Sequence, residues 1–289
     1  MHKKFFIALA ALAIEGHFAN AQDMDSWSIQ VSGAAYQIKY TDFNDMVRSF
    51  NQTYADAGVP RMETRDRTMG LNAEVLFRLN RFQVGFGVGY LTVPEFTYRD
   101  GEGDLNSLIE NYELKHSATA RVVSLMGAYD LLSLSRFTLY GGAGIAYYMA
   151  SLTFDEIEIG DPYGASLSTT TVTRNSELSS SQFGLKAHIG LDVKLTSRLS
   201  LDARFNARLA SISGFMGTQK RHEVEVGNWG TTEDQDTEGV YLVRQETDSG
   251  EVEFGPSTDR PLGTLAHDEG TVDLSGFGVQ LGIQIHFPQ

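Results

Sequence analysis

The chain has 289 residues, of which 42% are hydrophobic, and a formal net charge of -14. This acidic balance argues against a nucleic-acid partner, because binding to phosphates needs clustered lysine and arginine. The sequence contains no cysteine, which excludes a scaffold stabilised by disulfides.

The first 21 residues have the features of a secretory signal peptide. Lys3 and Lys4 form a basic start, an apolar run follows over 5–14, and the small residues Ala19 and Ala21 precede Gln22. The run is shorter than the roughly 20 apolar residues of a transmembrane helix. We therefore expect a mature chain that begins at Gln22 and forms one domain over 22–289.

Large apolar residues recur at every second position in eight later segments, which predicts eight β-strands. The first, near 24–40, is the least regular. The second and third are joined by Asn80 and Arg81, which predicts a hairpin. The second to eighth segments are 69–79, 82–90, 123–131, 137–149, 183–195, 199–209 and 277–287.

The connections between these strands alternate in length. Three are short turns, and four are long polar segments at about 41–67, 99–112, 155–176 and 218–270. The long segments hold 26 acidic and 10 basic residues, so the negative charge of the protein is concentrated there. Short turns on one side and long loops on the other are typical of outer-membrane barrels. The sequence predicts an all-β fold, an eight-stranded antiparallel up-and-down transmembrane β-barrel with long external loops.

The charged residues of the strands lie on the phase opposite to the apolar residues. An Arg or Lys facing lipid at the bilayer midplane would cost about 2 to 4 kcal/mol, so the charges should face inwards. A membrane sheet must also close, because unpaired backbone groups in hydrocarbon are costly. The predicted interior ionic plug consists of Glu74, Arg78, Lys186, His188, Asp192, Asp202, Arg204 and Arg208. A proton relay or a selectivity constriction is the alternative for this cluster.

A soluble lipocalin-like barrel or sandwich would have the same alternation with its apolar phase turned inwards. The consistent difference in connection length between the two sides favours the membrane barrel. We expect inward glycines, among them Gly190 and Gly278, to leave room in a narrow lumen for charged residues and for Tyr140 and Tyr148.

The first long segment carries an apolar stripe at helical spacing, which predicts an amphipathic helix over about 42–57. The helix could lie on the membrane surface, cap the mouth of the barrel or contact a ligand. The stripe consists of Phe43, Met46, Val47, Phe50 and Tyr54, after the capping residue Asp42.

The fourth long segment contains a partial match to a calcium-binding loop. Asp234, Asp236 and Glu238 occupy the first three ligand positions, and Gly239 occupies the turn position. Gln245 stands where a bidentate glutamate belongs. The sequence therefore predicts a weak divalent-ion site at most, and solvated acidic side chains are the alternative.

Three stretches resemble the small outer-membrane β-barrels of the OmpA, OmpX and opacity-protein kind, a porin family of Gram-negative bacteria. They are RLNRFQVGFGVGY at 78–90, RFTLYGGAGIAYYMA at 136–150 and the final alternating strand. The resemblance implies that the barrel-assembly machinery reads the final strand. That signal would consist of Phe277, Val279, Leu281, Ile283, Ile285 and Phe287, although Pro288 and Gln289 follow where the family usually ends on an aromatic residue.

These features predict a monomeric surface antigen of the cell outer membrane, with a structural or adhesin-like role carried by its acidic loops. Its expected partners are outer-membrane lipids, lipopolysaccharide and an extracellular ligand, and no cofactor is expected. One alternative is a narrow passive channel for small solutes. Another is an enzyme that modifies lipid A, for which His116, Ser117, His222 and His267 lie towards the external side.

Overall fold

The computed structural model describes residues 26–53, 61–100, 109–160, 168–227, 230–247, 251–259 and 267–288, so the predicted signal peptide lies outside the described residues. The described part contains the helix α1 (Thr41–Thr53) and a set of antiparallel strands. The strands are β1 (Ser26–Ile38), β2 (Arg67–Leu79), β3 (Phe82–Asp100), β4 (Ile109–Ser133), β5 (Phe137–Gly160), β6 (Ser168–Lys194), β7 (Leu199–Leu209), β8 (Ser211–Ile212), β9 (Met216–Gly227), β10 (Thr232–Glu246), β11 (Val252–Ser257), β12 (His267–Glu269), β13 (Val272–Asp273) and β14 (Gly276–Pro288).

Eight of these strands form a closed barrel. Strands β1 to β7 pair in sequence, and β14 closes the ring between β7 and β1. The register places Ile29 opposite Val75 on one side and Ile285 on the other. The predicted eight-stranded antiparallel barrel is confirmed.

The large apolar side chains of the ring point outwards and form a continuous surface, here called the apolar belt. Leu71, Phe183 and Leu281 are each about two-thirds exposed (67%, 65% and 64%). Aromatic residues mark both rims, with Phe82, Tyr129 and Phe137 near the short turns and Tyr90, Phe183 and Phe277 near the opposite rim. Such a belt would be unstable in water but is the surface that a transmembrane barrel presents to lipid.

Local backbone geometry explains the tight hairpin between β2 and β3. Asn80 has φ of 55°, in the left-handed region that asparagine tolerates better than most residues. Among the described residues, no helix is long and apolar enough to span a membrane.

The structure differs from the sequence prediction above the belt. The segments 99–112 and 155–176 were predicted as loops, but their described parts continue β3, β4, β5 and β6 as paired strands. Along β5 the outward residues change from Tyr147 and Met149 to Ser151 and Thr153, while Leu152 and Phe154 point inwards and are buried. The apolar phase reverses because the strand leaves lipid and enters water, where apolar side chains are buried inside.

The predicted fourth loop, 218–270, also contains strands. The outer half of β6 pairs with β9, which pairs with β10, and β10 pairs with both β11 and β12. Together with the outer parts of β3 to β5 and with α1, these strands form what we call the external cup, which projects beyond the apolar belt.

Helix α1 packs between the two ends of the cup's sheet. The ring centroid of Phe43 lies 5.1 Å from that of Phe96 on β3 and 6.3 Å from that of Phe254 on β11. Phe50 contacts Tyr98 at 5.3 Å between ring centroids. The predicted amphipathic helix is thus confirmed over Thr41–Thr53, whereas 54–57 lie outside the described residues.

The side-chain amides of two asparagines on α1 hold the helix in place. Asn44 donates to the carbonyls of Lys39 (2.9 Å) and Arg65 (2.8 Å), and its oxygen accepts from the Arg65 amide. Asn51 makes the same reciprocal pair with the backbone of Met62, at 2.9 and 2.8 Å. Because the two asparagines are seven residues apart, they lie on one helix face and fix the chain at 62–65 against it.

Candidate functional site

A network of polar side chains crosses the lumen at the level of the apolar belt. The Arg204 guanidinium contacts the carboxylates of Glu74 at 2.6 Å and Asp202 at 2.8 Å. The Tyr140 hydroxyl accepts from Arg204 and donates to Asp202, and Gln30 bonds to both Arg204 and Asp202. All five side chains are buried. Charges removed from water are stable only when they are paired and hydrogen-bonded, and this network provides both for Arg204, Glu74 and Asp202.

Glycines on neighbouring strands make room for this network. A Cβ added at Gly190 would lie 2.5 Å from the ring and the hydroxyl of Tyr140. A Cβ at Gly278 would lie 2.3 Å from the ring of Tyr36. The prediction that inward glycines leave room for Tyr140 is therefore confirmed at Gly190, whereas Gly278 leaves room for Tyr36, which the sequence analysis did not single out.

The other predicted plug residues also face the lumen. Arg78 pairs with Asp130 at 3.5 Å, and Asp192 accepts from Ser200 at 3.1 Å. Arg208 is held differently, with its guanidinium 4.0 Å from the ring centroid of Tyr36 and its Nε donating to the Leu274 carbonyl at 2.6 Å. The remaining members, Lys186 and His188, are buried beside them.

Small cavities lie beside these side chains. A cavity bounded by Glu74, Tyr140, His188 and Arg204 has a volume of about 10 Å³. A second cavity, higher in the lumen and lined by apolar residues such as Leu91 and Leu152, is of the same size. Each volume is close to the space that a single water molecule occupies.

An aromatic layer lies above the polar network and forms the floor of the external cup. At its centre His116, on the part of β4 outside the belt, stacks on Phe154 at 4.3 Å and on Phe43 at 5.1 Å between ring centroids. The hydroxyl of Tyr40 hydrogen-bonds to Nε2 of His116. Burial lowers the pKa of His116 to about 4, so the ring is neutral at physiological pH.

A cavity of about 650 Å³ lies in the external cup, bordered on its inner side by this aromatic layer. Its volume is in the range of small-molecule binding sites. The apolar part of its wall combines aromatic rings with two thioethers. These residues include Met46, Phe50, Met62, Tyr112, Phe154 and Phe254.

Ionisable groups also line the cavity. Arg174 pairs with Glu156 at 3.0 Å and with Glu158 at 3.2 Å. Burial favours the neutral form of Arg174, but the two carboxylates outweigh it and raise its pKa. Burial and the neighbouring Glu156 raise the pKa of Tyr112, so its phenol remains protonated and hydrogen-bonds to Glu156. Glu251 and Glu253 also line the cavity.

The segment predicted to form a calcium loop is instead part of strand β10. Asp234, Asp236 and Glu238 are exposed along this strand, and Asp234 pairs with His222 at 2.5 Å. Across the described ranges, no three His, Asp or Glu side chains converge as a metal site. The structure therefore gives the calcium prediction no support, because a strand spreads the ligands that a loop would gather.

Two of the histidines considered for catalysis, His116 and His222, are not brought together, and the side chain of His267 lies outside the described part of the structure. His116 is buried in the aromatic layer, whereas His222 is exposed on β9. The proposed assembly residues of β14 face outwards as part of the apolar belt, from Phe277 to Ile285.

Sequence reasoning missed the cavity, because its wall comes from segments that were read as loops. The available signal was the reversed alternation in 112–118 and 150–154, where apolar residues occupy the inward phase.

No protein-family model matches the chain, and no curated protein matches it. Similar solved structures include a major outer membrane protein from Thermus thermophilus, at 15% identity, covering 90% of this chain and 99% of the other with a TM-score of 0.37. OprG from Pseudomonas aeruginosa aligns at 14% identity, 92% and 98% coverage and a TM-score of 0.38. Neisserial surface protein A aligns at 12% identity, 91% and 97% coverage and a TM-score of 0.33. With superpositions this loose, the membrane-barrel assignment rests on the closed ring, the outward apolar belt and the buried charges of the chain itself.

Proposed function

We propose that this protein is a monomeric outer-membrane barrel that does not conduct and that acts at the cell surface through its external cup. The observation that carries the proposal is the network around Arg204, which joins β7, β5, β2 and β1 across the lumen. The cavity beside it has room for about one water molecule. A solute path would require these buried, paired charges to separate, which is energetically expensive.

The proposal is tested by reconstituting the full chain in a planar lipid bilayer. We expect no stable conductance, and a general porin reconstituted in the same way serves as the positive control. Steady openings of the unmodified protein would favour the narrow channel and would overturn the non-conducting barrel.

The surface role is supported by the position of the acidic residues, which lie mainly in the segments beyond the apolar belt. We propose that these residues contact lipopolysaccharide bridged by divalent cations, and that the outward residues of β14 act as the signal for barrel assembly. The refolded protein should bind lipopolysaccharide more tightly in calcium than in chelator. A variant with Asp234→Asn, Asp236→Asn and Glu238→Gln should reduce that difference, and equal binding in both buffers by the unmodified protein would contradict cation bridging.

A further inference from the structure

The cavity of the external cup has the size, wall and charge of a small-molecule site. We propose that it binds an organic cation with an apolar body, such as an aromatic or aliphatic quaternary amine. This inference rests on the proposed surface function of the cup and specifies the chemistry of its ligand.

The apolar part of the wall suits the body of such a ligand. The rings of Phe50, Tyr112, Phe154 and Phe254 come from α1, β4, β5 and β11, and two methionines also line the cavity. Aromatic faces attract cations through the ring quadrupole, and the attraction is strongest when the contact is shielded from water. The volume of about 650 Å³ exceeds what a metal ion or a simple ammonium needs, so a larger organic body fits better.

The charged residues of the cavity wall determine whether a cation or an anion binds there. Arg174 is its basic residue, and its guanidinium is already bound by Glu156 and Glu158. In the described part of the chain, the carboxylates of Glu251 and Glu253 form no ion pair. The cavity therefore offers uncompensated negative charge, which attracts a cation and repels an anion.

The floor of the cavity confines the ligand to the cup. Phe43, His116 and Phe154 are all buried, the ring of His116 stacks on the other two, and the polar network lies below them. The site is therefore a closed-ended pocket on the external side and not part of a path through the membrane.

The test uses the full chain refolded into phosphatidylcholine nanodiscs, with empty nanodiscs to subtract partitioning into lipid. Three probes with the same aromatic body are titrated by calorimetry: trimethyl(naphthylmethyl)ammonium, the neutral naphthylmethanol and the anionic naphthylacetate. We expect saturable binding of one cation per protein, at least about tenfold tighter than the alcohol, and no saturable binding of the anion. Added salt should weaken binding of the cation but not of the alcohol.

The double variant Glu251→Gln and Glu253→Gln should weaken binding of the cation about five- to tenfold and leave the alcohol unchanged. Glu177→Gln, which removes an exposed carboxylate of β6 outside the cavity, is the matched control and should bind as the unmodified protein does. Phe50→Leu should weaken both the cation and the alcohol. Equal affinity for all three probes, no binding of any, or an unaffected double variant would overturn the inference. Conductance in the bilayer would contradict the closed lumen alone, so the two failures are distinguishable.

Discussion

Arg204 on β7 and Glu74 on β2 are joined across the lumen at 2.6 Å, although three strand pairings separate their strands around the ring. The contact therefore ties together parts of the wall that backbone hydrogen bonds do not connect directly. Both side chains are about 5% exposed. Removing a partner from a buried ion pair costs far more than breaking an ion pair on the surface.

The effects of replacing Arg204 and Glu74 on stability should not be additive. Arg204→Met leaves the carboxylates of Glu74 and Asp202 buried without their cation, at a cost of about 3 to 5 kcal/mol in unfolding free energy. The double variant Arg204→Met and Glu74→Gln should cost less than the sum of its singles, with a coupling of about 0.5 to 3 kcal/mol. Urea unfolding in lipid vesicles gives these values.

The exposed pair Arg99–Glu113, at 3.1 Å, provides the matched cycle, and its coupling should stay below about 1 kcal/mol. Additive effects at Arg204 and Glu74 would show that the lumen contact does not contribute to stability.

Gly190→Ala should destabilise the barrel because the new methyl group would collide with Tyr140. The ring would have to move away from Asp202 and Arg204, which should cost about 1 to 3 kcal/mol of unfolding free energy. Gly33→Ala is the control, because nothing lies within 4 Å of the added Cβ there, and its effect should stay within about 0.5 kcal/mol. Equal stability of the two variants would mean that Tyr140 is not fixed as described.

Phe43→Ala should loosen the external cup and leave the membrane barrel intact. Phe43 is 1% exposed and contacts Phe96, His116 and Phe254, so its truncation should cost about 3 to 5 kcal/mol locally. We expect faster hydrogen exchange in α1, while the amides of β1 and β14 remain protected. Arg48→Ala, on the exposed side of α1, should leave both unchanged.

The stability of the cup should depend on pH through His116. Burial lowers the pKa of this ring from 6.5 to about 4, so the folded cup binds a proton less readily than the unfolded chain does. The stabilisation of the cup that depends on neutral His116 is fully present above pH 6.5. It is lost as the pH falls from 6.5 to about 4, and the stability does not change further through this group below that pH. A shift of this size corresponds to roughly 3 kcal/mol.

Hydrogen exchange of α1, corrected for the intrinsic rate, should show this loss of protection over that pH interval. His116→Phe removes the titrating group and retains an aromatic ring, so the difference between the two proteins isolates the histidine. Parallel pH profiles for both would exclude His116 as the cause.

The membrane part of the fold could be predicted because one rule acts along its whole length. In contact with lipid, outward residues such as Leu281 are apolar and inward residues such as Arg204 are polar, so simple alternation identifies strand and orientation together. The partners of Arg204 could not be predicted, because they come from strands distant in sequence and depend on barrel register.

The cup could not be predicted by the same rule, because in the cup the apolar side chains face inwards and the polar side chains face water. At Leu152 and Phe154 the inward phase becomes apolar, and an alternation that changes sign within one strand was read as the end of that strand. The helical stripe of Phe43 and Val47 was recognisable because its period of about 3.6 residues does not depend on which side faces water.

The unbroken passage of β4 from lipid into water has a mechanical consequence. Arg121 lies at the outer rim of the belt, and Tyr112 lies nine residues further out along β4. This separation corresponds to roughly 30 Å of strand. Because this stretch is hydrogen-bonded to β3 and β5, it is a rigid extension of the barrel wall and not a flexible loop. Every copy of the protein in a membrane would therefore hold its cup at the same height and tilt, and a ligand arriving from outside would meet these cups as a level array.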